Sequence, residues 1–231
     1  MTPERQTPER QTPEQQTPQQ QTPQQQTPQH PTSEQLERAA AALRAGEVVA
    51  IPTDTVYGLA VDPSRDGATN LLFELKGRPR SLELPVLVSN VAQAEQLVPG
   101  GLPEIARRIA DHFWPGAVTI VLQRRDDLAW DLGADSATIG IRCPAHPVPR
   151  WLCERVGPIA TTSANLHRRP PLTDARAAER CFGARIALVV DGGPSAGSPS
   201  TVVDLTGDGI RCLREGAVAL SHIEKALATA G

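Results

Sequence analysis

The chain has 231 residues and a formal net charge of −3; 39% of its residues are hydrophobic and only 3% aromatic, which allows one core of ordinary size plus appendages. A near-neutral balance argues against binding nucleic acid by bulk charge. The four cysteines form no C-x-x-C pair, and the five histidines show no metal-ligand spacing beside them, so no protein-ligated metal is expected. No run of roughly 18 apolar residues occurs, which excludes a membrane-spanning helix. The absence of an apolar stretch near the N-terminus argues against secretion, so a cytoplasmic protein with reduced thiols is expected. Lys76 and Lys225 are the only lysines, and the arginine excess is read as base composition.

Threonine recurs every five residues from Thr2 to Thr32 in the pattern T-P-E/Q-R/Q-Q. The prolines interrupt any helix and nothing apolar is available to bury, so residues 1–31 are expected to be a disordered tail before a single domain at 32–231. Thr32 and Gln35 have capping-box spacing, and Leu36, Ala39, Ala40 and Leu43 follow at helical spacing up to Gly46. Residues 48–51 read as a strand, 66–76 as a helix capped by Gly77, and 85–88 as a second strand. Further on, 103–114 is predicted helical, 118–122 and 138–142 strands, 146–156 a helix and 158–162 a strand. A helix over 173–182 precedes strands at 186–190, 201–205 and 210–213, and a last helix runs from 221 to about 228. Helices interleave with strands at first and strands bunch near the end. That order predicts an α/β layer structure with a mixed sheet.

Polar residues collect where the predicted strands end, which is where α/β sheets usually hold ligands. Pro52-Thr53-Asp54-Thr55 could hydrogen-bond a small polar ligand, or be a turn with self-satisfied hydroxyls. Lys76, Arg78 and Arg80 gather three cations that could clamp a polyphosphate, although a helix C-terminus also attracts a basic residue such as Lys76. There is no Walker-type P-loop. Thr161-Thr162-Ser163-Ala164-Asn165 offers hydroxyls and an amide after a strand. Asp191-Gly192-Gly193, with Gly197 and Ser200-Thr201, could be an anion nest or a plain glycine-rich loop. Arg142 closes an apolar strand, a place from which a charge usually points into a site or an ion pair.

In order, the segments P-T-D-T-V-Y-G-L, K-G-R-P, F-W-P-G-x-x-T, I-G-I-R-x-P-x-H-P, T-S-A-N, D-G-G, S-T-V-V-D and L-R-x-G resemble the YrdC/TsaC family. The match runs roughly from residue 34 to residue 220. The resemblance implies a twisted, mostly open sheet flanked by helices with a concave positive pocket, in the short single-domain form. It implies an L-threonylcarbamoyladenylate synthase, which joins L-threonine, bicarbonate or CO2 and ATP into threonylcarbamoyl-AMP and pyrophosphate for the N6-threonylcarbamoyladenosine of tRNA. Threonine binding then falls on Thr53, Arg142, Ser163 and Ser200. Nucleotide binding falls on Lys76, Arg78, Thr138, Asn165, Thr173 and Arg214, with Lys76 and Arg78 as the candidates for catalysis. Two positions depart from the family pattern: Glu83 stands where proline is common, and Leu87 where some members have histidine.

The implied chemistry needs no covalent nucleophile. An N-carboxylated threonine attacks the α-phosphorus of ATP, so the protein must align two anions, exclude water and neutralise charge. Mg2+ is expected with ATP. A separate transferase would consume the product, and a weak tRNA contact by this chain fits the same scheme. Competing expectations are a YrdC-like module that holds RNA without catalysis, and a carbamoyl-transfer role like that of hydrogenase-maturation proteins with an embedded YrdC-like domain.

Overall fold

A computed structural model describes residues 30–133 and 137–228; of the tail expected at 1–31, residues 1–29 lie outside the described residues. In chain order the elements are α1 (Ser33–Arg44), β1 (Val49–Ile51), β2 (Gly58–Val61), α2 (Ala68–Lys76), β3 (Val86–Leu87), α3 (Val91–Glu95), α4 (Glu104–Phe113), β4 (Val118–Gln123) and β5 (Thr138–Arg142), followed by α5 (Pro147–Val156), β6 (Ile159–Ser163), α6 (Ala175–Phe182), β7 (Leu188–Val189), β8 (Thr201–Asp204), β9 (Arg211–Arg214) and α7 (Leu220–Ala228). The capping box forms as read: Thr32 Oγ1 accepts from Gln35 N at 3.2 Å while Gln35 Oε1 accepts from Thr32 N at 3.1 Å. Gly77 ends α2 in the left-handed region at φ 60°, a conformation glycine reaches without steric cost.

Among the described residues the strands form one nine-stranded mixed sheet in the order β7-β1-β2-β6-β3-β5-β4-β8-β9. Three pairings are parallel, β1 with β7, β3 with β5 and β4 with β8; the others are antiparallel. Two elements were not expected from the sequence. The segment after Pro52 is a hairpin, with β2 folding back on β1 through residues 52–57. Gly58-Leu59-Ala60-Val61 is buried on both faces, so it shows no alternation by which a strand is recognised. The short helix α3 is capped by Asn90, whose side chain accepts from Gln93 N at 2.9 Å. Helix α6 starts at Ala175 rather than Thr173, because Asp174 takes the cap by accepting from Ala177 N at 2.7 Å. The expected 186–190 strand shortens to two residues at the sheet edge, where β7 pairs with β1 alone among the described strands.

The pleat explains where an open site can exist, since alternate residues point to opposite faces. One face sends Leu59, Val86, Ile120, Ile141 and Val203 into the larger core, covered by α2, α4, α6 and α7. The opposite face sends Val49, Ile51, Ala60, Leu87 and Ile159 into a smaller core under α1 and α5. That cover reaches only part of the second face. Beyond it, the same face carries Gly58 and Ser163, which are partners across β2 and β6. It also carries Arg142, the β5 neighbour of Leu87, and Thr119, the β4 neighbour of Val202. Gly58 lies on the floor of the resulting cavity, and a Cβ placed on it would meet only Thr162 O at an ordinary 3.5 Å. Gly58→Ala is therefore expected to stabilise the fold by about 0.5–1 kcal/mol, through the smaller entropy loss of alanine in a strand. Thermal unfolding measures this, and a lowered midpoint would mean that the floor is packed rather than open.

Candidate active site

The uncovered part of the sheet face, with the loops at the strand ends, encloses a cavity of about 270 Å3. Three arginines line it, Arg78, Arg142 and Arg214, together with the hydroxyl residues Thr53, Thr55, Thr119, Thr161, Thr162, Ser163 and Ser200; Val56, Pro85, Leu87, Pro171 and Pro199 supply apolar wall. No carboxylate is among the described residues that line it. Such a surface attracts an anion with several hydrogen-bond acceptors.

Arg142 is the most constrained of the three. It is 6% exposed; its Nη2 pairs with Asp54 Oδ1 at 2.6 Å, Nη1 donates to Thr55 Oγ1 at 2.8 Å, and Nε donates to Gly116 O at 2.8 Å. Three of its five N–H groups are thereby fixed, and two remain for a ligand. Burial pulls the guanidinium below its ordinary value, while Asp54 favours the charged form. The F-W-P-G segment builds the third support. A Cβ on Gly116 would overlap the Phe113 carbonyl oxygen, so only glycine lets this turn approach α4 closely enough. Gly116 N is anchored on Cys143 O at 2.8 Å, and its own carbonyl then meets Arg142.

The Thr53 hydroxyl is satisfied within its own loop: it donates to Val56 O at 2.6 Å and accepts from Thr55 N and Val56 N at 3.1 and 3.2 Å. This is the self-satisfied turn that the sequence left open, and it holds Thr55 against Arg142 with a 2.9 Å hydroxyl contact. Ser200 Oγ lies 2.9 Å from Thr119 Oγ1 and accepts from Arg214 Nη2 at 3.1 Å. Arg78 donates from Nε to Leu82 O at 3.1 Å and from Nη2 to Glu83 O at 2.9 Å. Burial lowers the pKa of Arg78 and of Arg214; in addition Arg214 bears on Arg78, and Arg142 on Arg214. Three like charges therefore converge, a cost that a polyanion would relieve.

Six of the ten residues predicted for the site line the cavity: Thr53, Arg78, Arg142, Ser163, Ser200 and Arg214. Lys76 and Asn165 stand directly behind Ser163. Lys76 Nζ donates to Ser163 O at 2.6 Å, Asn165 Oδ1 at 2.7 Å and Ser163 Oγ at 3.1 Å, which uses all three of its donors. Ser163 Oγ donates to Asn165 Oδ1 at 2.6 Å, and Asn165 Nδ2 donates to Arg169 O. Thr138 shares the cavity's face but lies four residues before Arg142, roughly 13 Å along the strand, where its hydroxyl donates to Glu83 Oε2 at 3.1 Å. Thr173 is not among the lining residues; its carbonyl accepts from Ser195 N at 2.8 Å. Thr55, Thr119, Thr161 and Thr162 line the cavity without having been assigned a role. The quoted motifs or segments contained all four, and only the fold shows that they converge.

The D-G-G loop is a packing element. Tyr57 Oη donates to Gly193 O at 2.9 Å and accepts from Gly192 N at 3.3 Å, and Gly193 N donates to Asp191 Oδ1 at 3.1 Å. Gly192 lies against Pro52 and the His146 ring with no room for a Cβ. Those amides serve the loop itself rather than an anion nest.

Burial, with the nearby Arg78 charge, lowers Lys76 from its ordinary 10.5 to about 8. Affinity of the cavity for inorganic pyrophosphate is expected to fall as pH rises through about 8, when Lys76 gives up its proton and loosens Ser163 and Asn165. Stability should move the other way. The unfolded chain binds more protons between pH 8 and 10.5, so the penalty from Lys76 is complete below 8 and fades as pH rises across that window. Calorimetric titration across pH 7–9.5 tests this, with Lys76→Met expected to remove the step near 8; a step that persists in the variant contradicts it.

The Sua5/YciO/YrdC family model, described as telomere recombination, matches residues 41–216. A Mycobacterium tuberculosis protein, provisionally named a threonylcarbamoyl-AMP synthase, is 40% identical over 196 residues, 84% of this chain and 90% of its own length. The Bacillus subtilis threonylcarbamoyl-AMP synthase is 40% identical over 193 residues, 82% of this chain and 56% of its own length. Among solved structures, P. abyssi Sua5 complexed with L-threonine superposes with a TM-score of 0.81 at 35% identity, covering 85% of this chain and 58% of that one. E. coli YciO shares the fold at TM-score 0.76 and 24% identity, over 84% of this chain and 94% of its own. Matched across most of its length by the family model and by relatives at 40% identity, the chain belongs to the Sua5/YciO/YrdC family.

Proposed function

We propose that the protein is a threonylcarbamoyl-AMP synthase, a nucleotidyltransferase that condenses L-threonine, bicarbonate or CO2 and ATP to threonylcarbamoyl-AMP and pyrophosphate. The observation that carries this reading is one cavity holding an ion-paired arginine among hydroxyls and two further arginines, with no carboxylate among its described lining residues, in a chain that matches a relative of that name over 90% of the relative's length.

Arg142 receives the threonine carboxylate. Its two unused N–H groups provide a charge-assisted pair, and Asp54, Thr55 and Gly116 hold it in place, so little side-chain freedom is lost on binding. Ser163 and Ser200 flank it with hydroxyls that can orient the amine, the threonine hydroxyl or the carbamate. The amine adds to CO2 with loss of a proton, or to bicarbonate with loss of water, and gives an N-carboxylate anion. Its oxygen attacks the α-phosphorus, and the bond to the β,γ-diphosphate breaks as pyrophosphate leaves. Arg78 and Arg214 stabilise the charge that grows on the leaving group. Lys76 is assigned to holding Ser163 and Asn165 rather than to direct contact. Mg2+ would enter with ATP as part of that substrate and would supply charge neutralisation on the polyphosphate. The nucleotide would extend along the sheet face toward Thr138. The product is a reactive mixed anhydride, so its consumer is a separate transferase that delivers the threonylcarbamoyl group to tRNA. A cytoplasmic setting fits four free cysteine thiols and the lack of any described helix long and apolar enough to cross a membrane.

Arg142→Ala is expected to weaken threonine binding by at least about 10-fold, the loss of one charged hydrogen-bonded pair, while ATP affinity changes far less. Calorimetry with each ligand separately is the check. Equal losses for both ligands would remove Arg142 from the amino-acid subsite.

A further inference from the structure

Strand β9 falls out of step with β8. Asp204 pairs with Arg211 and Val203 with Cys212, yet Val202 pairs with Arg214, so Leu213 is an extra residue on β9. A bulge of this kind re-aims the side chain that follows it. In unbroken register Arg214 would stand opposite Thr201 and share the face of that residue. With Leu213 inserted it stands opposite Val202, on the face that also carries Ser200. There its Nε and Nη2 donate to Ser200 O at 3.1 and 2.9 Å, and Nη2 also donates to Ser200 Oγ at 3.1 Å. Leu213 is 51% exposed, so packing does not account for it.

The strand opposite is locked from behind. Thr201 is fully buried; its hydroxyl donates to Val218 O and accepts from Gly216 N at 3.0 Å and Val218 N at 3.2 Å. Ala217 N donates to Pro199 O at 2.9 Å. A Cβ on Gly216 would overlap the backbone of Pro199 and Ser200, so the turn after Arg214 lies directly on the residues before Thr201. A hydroxyl donates once and accepts twice; serine keeps that capacity, and valine keeps only the shape.

We propose that Thr201 and the Leu213 bulge form the device that aims Arg214 into the cavity, which makes Thr201 a positioning residue for anion binding although it is not among the lining residues. This deepens the functional reading above and rests on it for the identity of the anion, the polyphosphate of ATP. Thr201 fixes the turn that follows Arg214, the bulge fixes its face, and Ser200 O receives its guanidinium.

The test uses the full chain with inorganic pyrophosphate as the probe. Thr201→Val should weaken pyrophosphate binding by at least about tenfold, comparable with one charged hydrogen bond, and Thr201→Ser should restore it. Arg214→Ala added to Thr201→Val should cost little more, because the two act as one unit; fully additive losses overturn the proposal. A second readout needs no ligand. The Arg214 Nε–H resonance, identified by its loss in Arg214→Ala, should be protected from exchange in the unmodified chain and in Thr201→Ser, and unprotected in Thr201→Val. Its survival in Thr201→Val overturns the positioning role. If the unmodified chain does not bind pyrophosphate, the functional reading falls and the resonance alone decides the positioning. Should Thr201→Val fail to fold by circular dichroism, deletion of Leu213 replaces it with the same two expectations.

Discussion

The Arg142 guanidinium is held by groups from two separate segments, the hairpin loop that supplies Asp54 and Thr55 and the turn after α4 that supplies Gly116 O. Almost everything else about the site follows from the need to keep that buried charge hydrogen-bonded. Thr53 closes the hairpin loop so that Thr55 faces the arginine. Gly116 permits the turn, and its amide is tied to the residue after Arg142. With those supports in place the arginine still has two N–H groups without a protein partner, and Arg78 and Arg214 add their charges to the cavity lining.

The sheet makes this possible by being covered unequally. Helices α2, α4, α6 and α7 pack against one face, whereas α1 and α5 cover only part of the other. The remaining pleat positions do not have to be apolar. Glycine, threonine, serine and arginine occupy Gly58, Thr119, Ser163, Ser200, Arg142 and Arg214 without breaking the core, because the residues between them point into the other layer. The same division separates roles among the cations. Lys76 comes from the helix side and ends on Ser163 and Asn165, while the arginines reach the open side.

Local signals were legible in the sequence, and signals that depend on register were not. The capping box at Thr32 and Gln35 and the left-handed Gly77 depend on neighbours a few residues away, and both form as read. Strand β2 was missed because its four residues are buried on both faces and alternate in nothing. Thr119 lay inside a recognised segment, but its partner Ser200 is 81 residues further on, and no periodicity points from one to the other. Arg214 was named as a nucleotide ligand by resemblance, yet the bulge that turns it toward Ser200 exists only in the pairing of two strands. Thr173 was read into a helix that Asp174 in fact caps. The D-G-G loop could be a nest or a packed turn on sequence grounds; the hydroxyl of Tyr57, buried and raised to about 12, takes up its groups.

One experiment bears most directly on the account: incubate the purified 231-residue chain with L-threonine, bicarbonate and MgATP, and look for threonylcarbamoyl-AMP by mass spectrometry while pyrophosphate is followed in parallel. The cavity described above predicts the adduct, with pyrophosphate released in equal amount and only when all three substrates are present. Pyrophosphate release that ignores threonine, or tight binding of the substrates with no adduct, would contradict it.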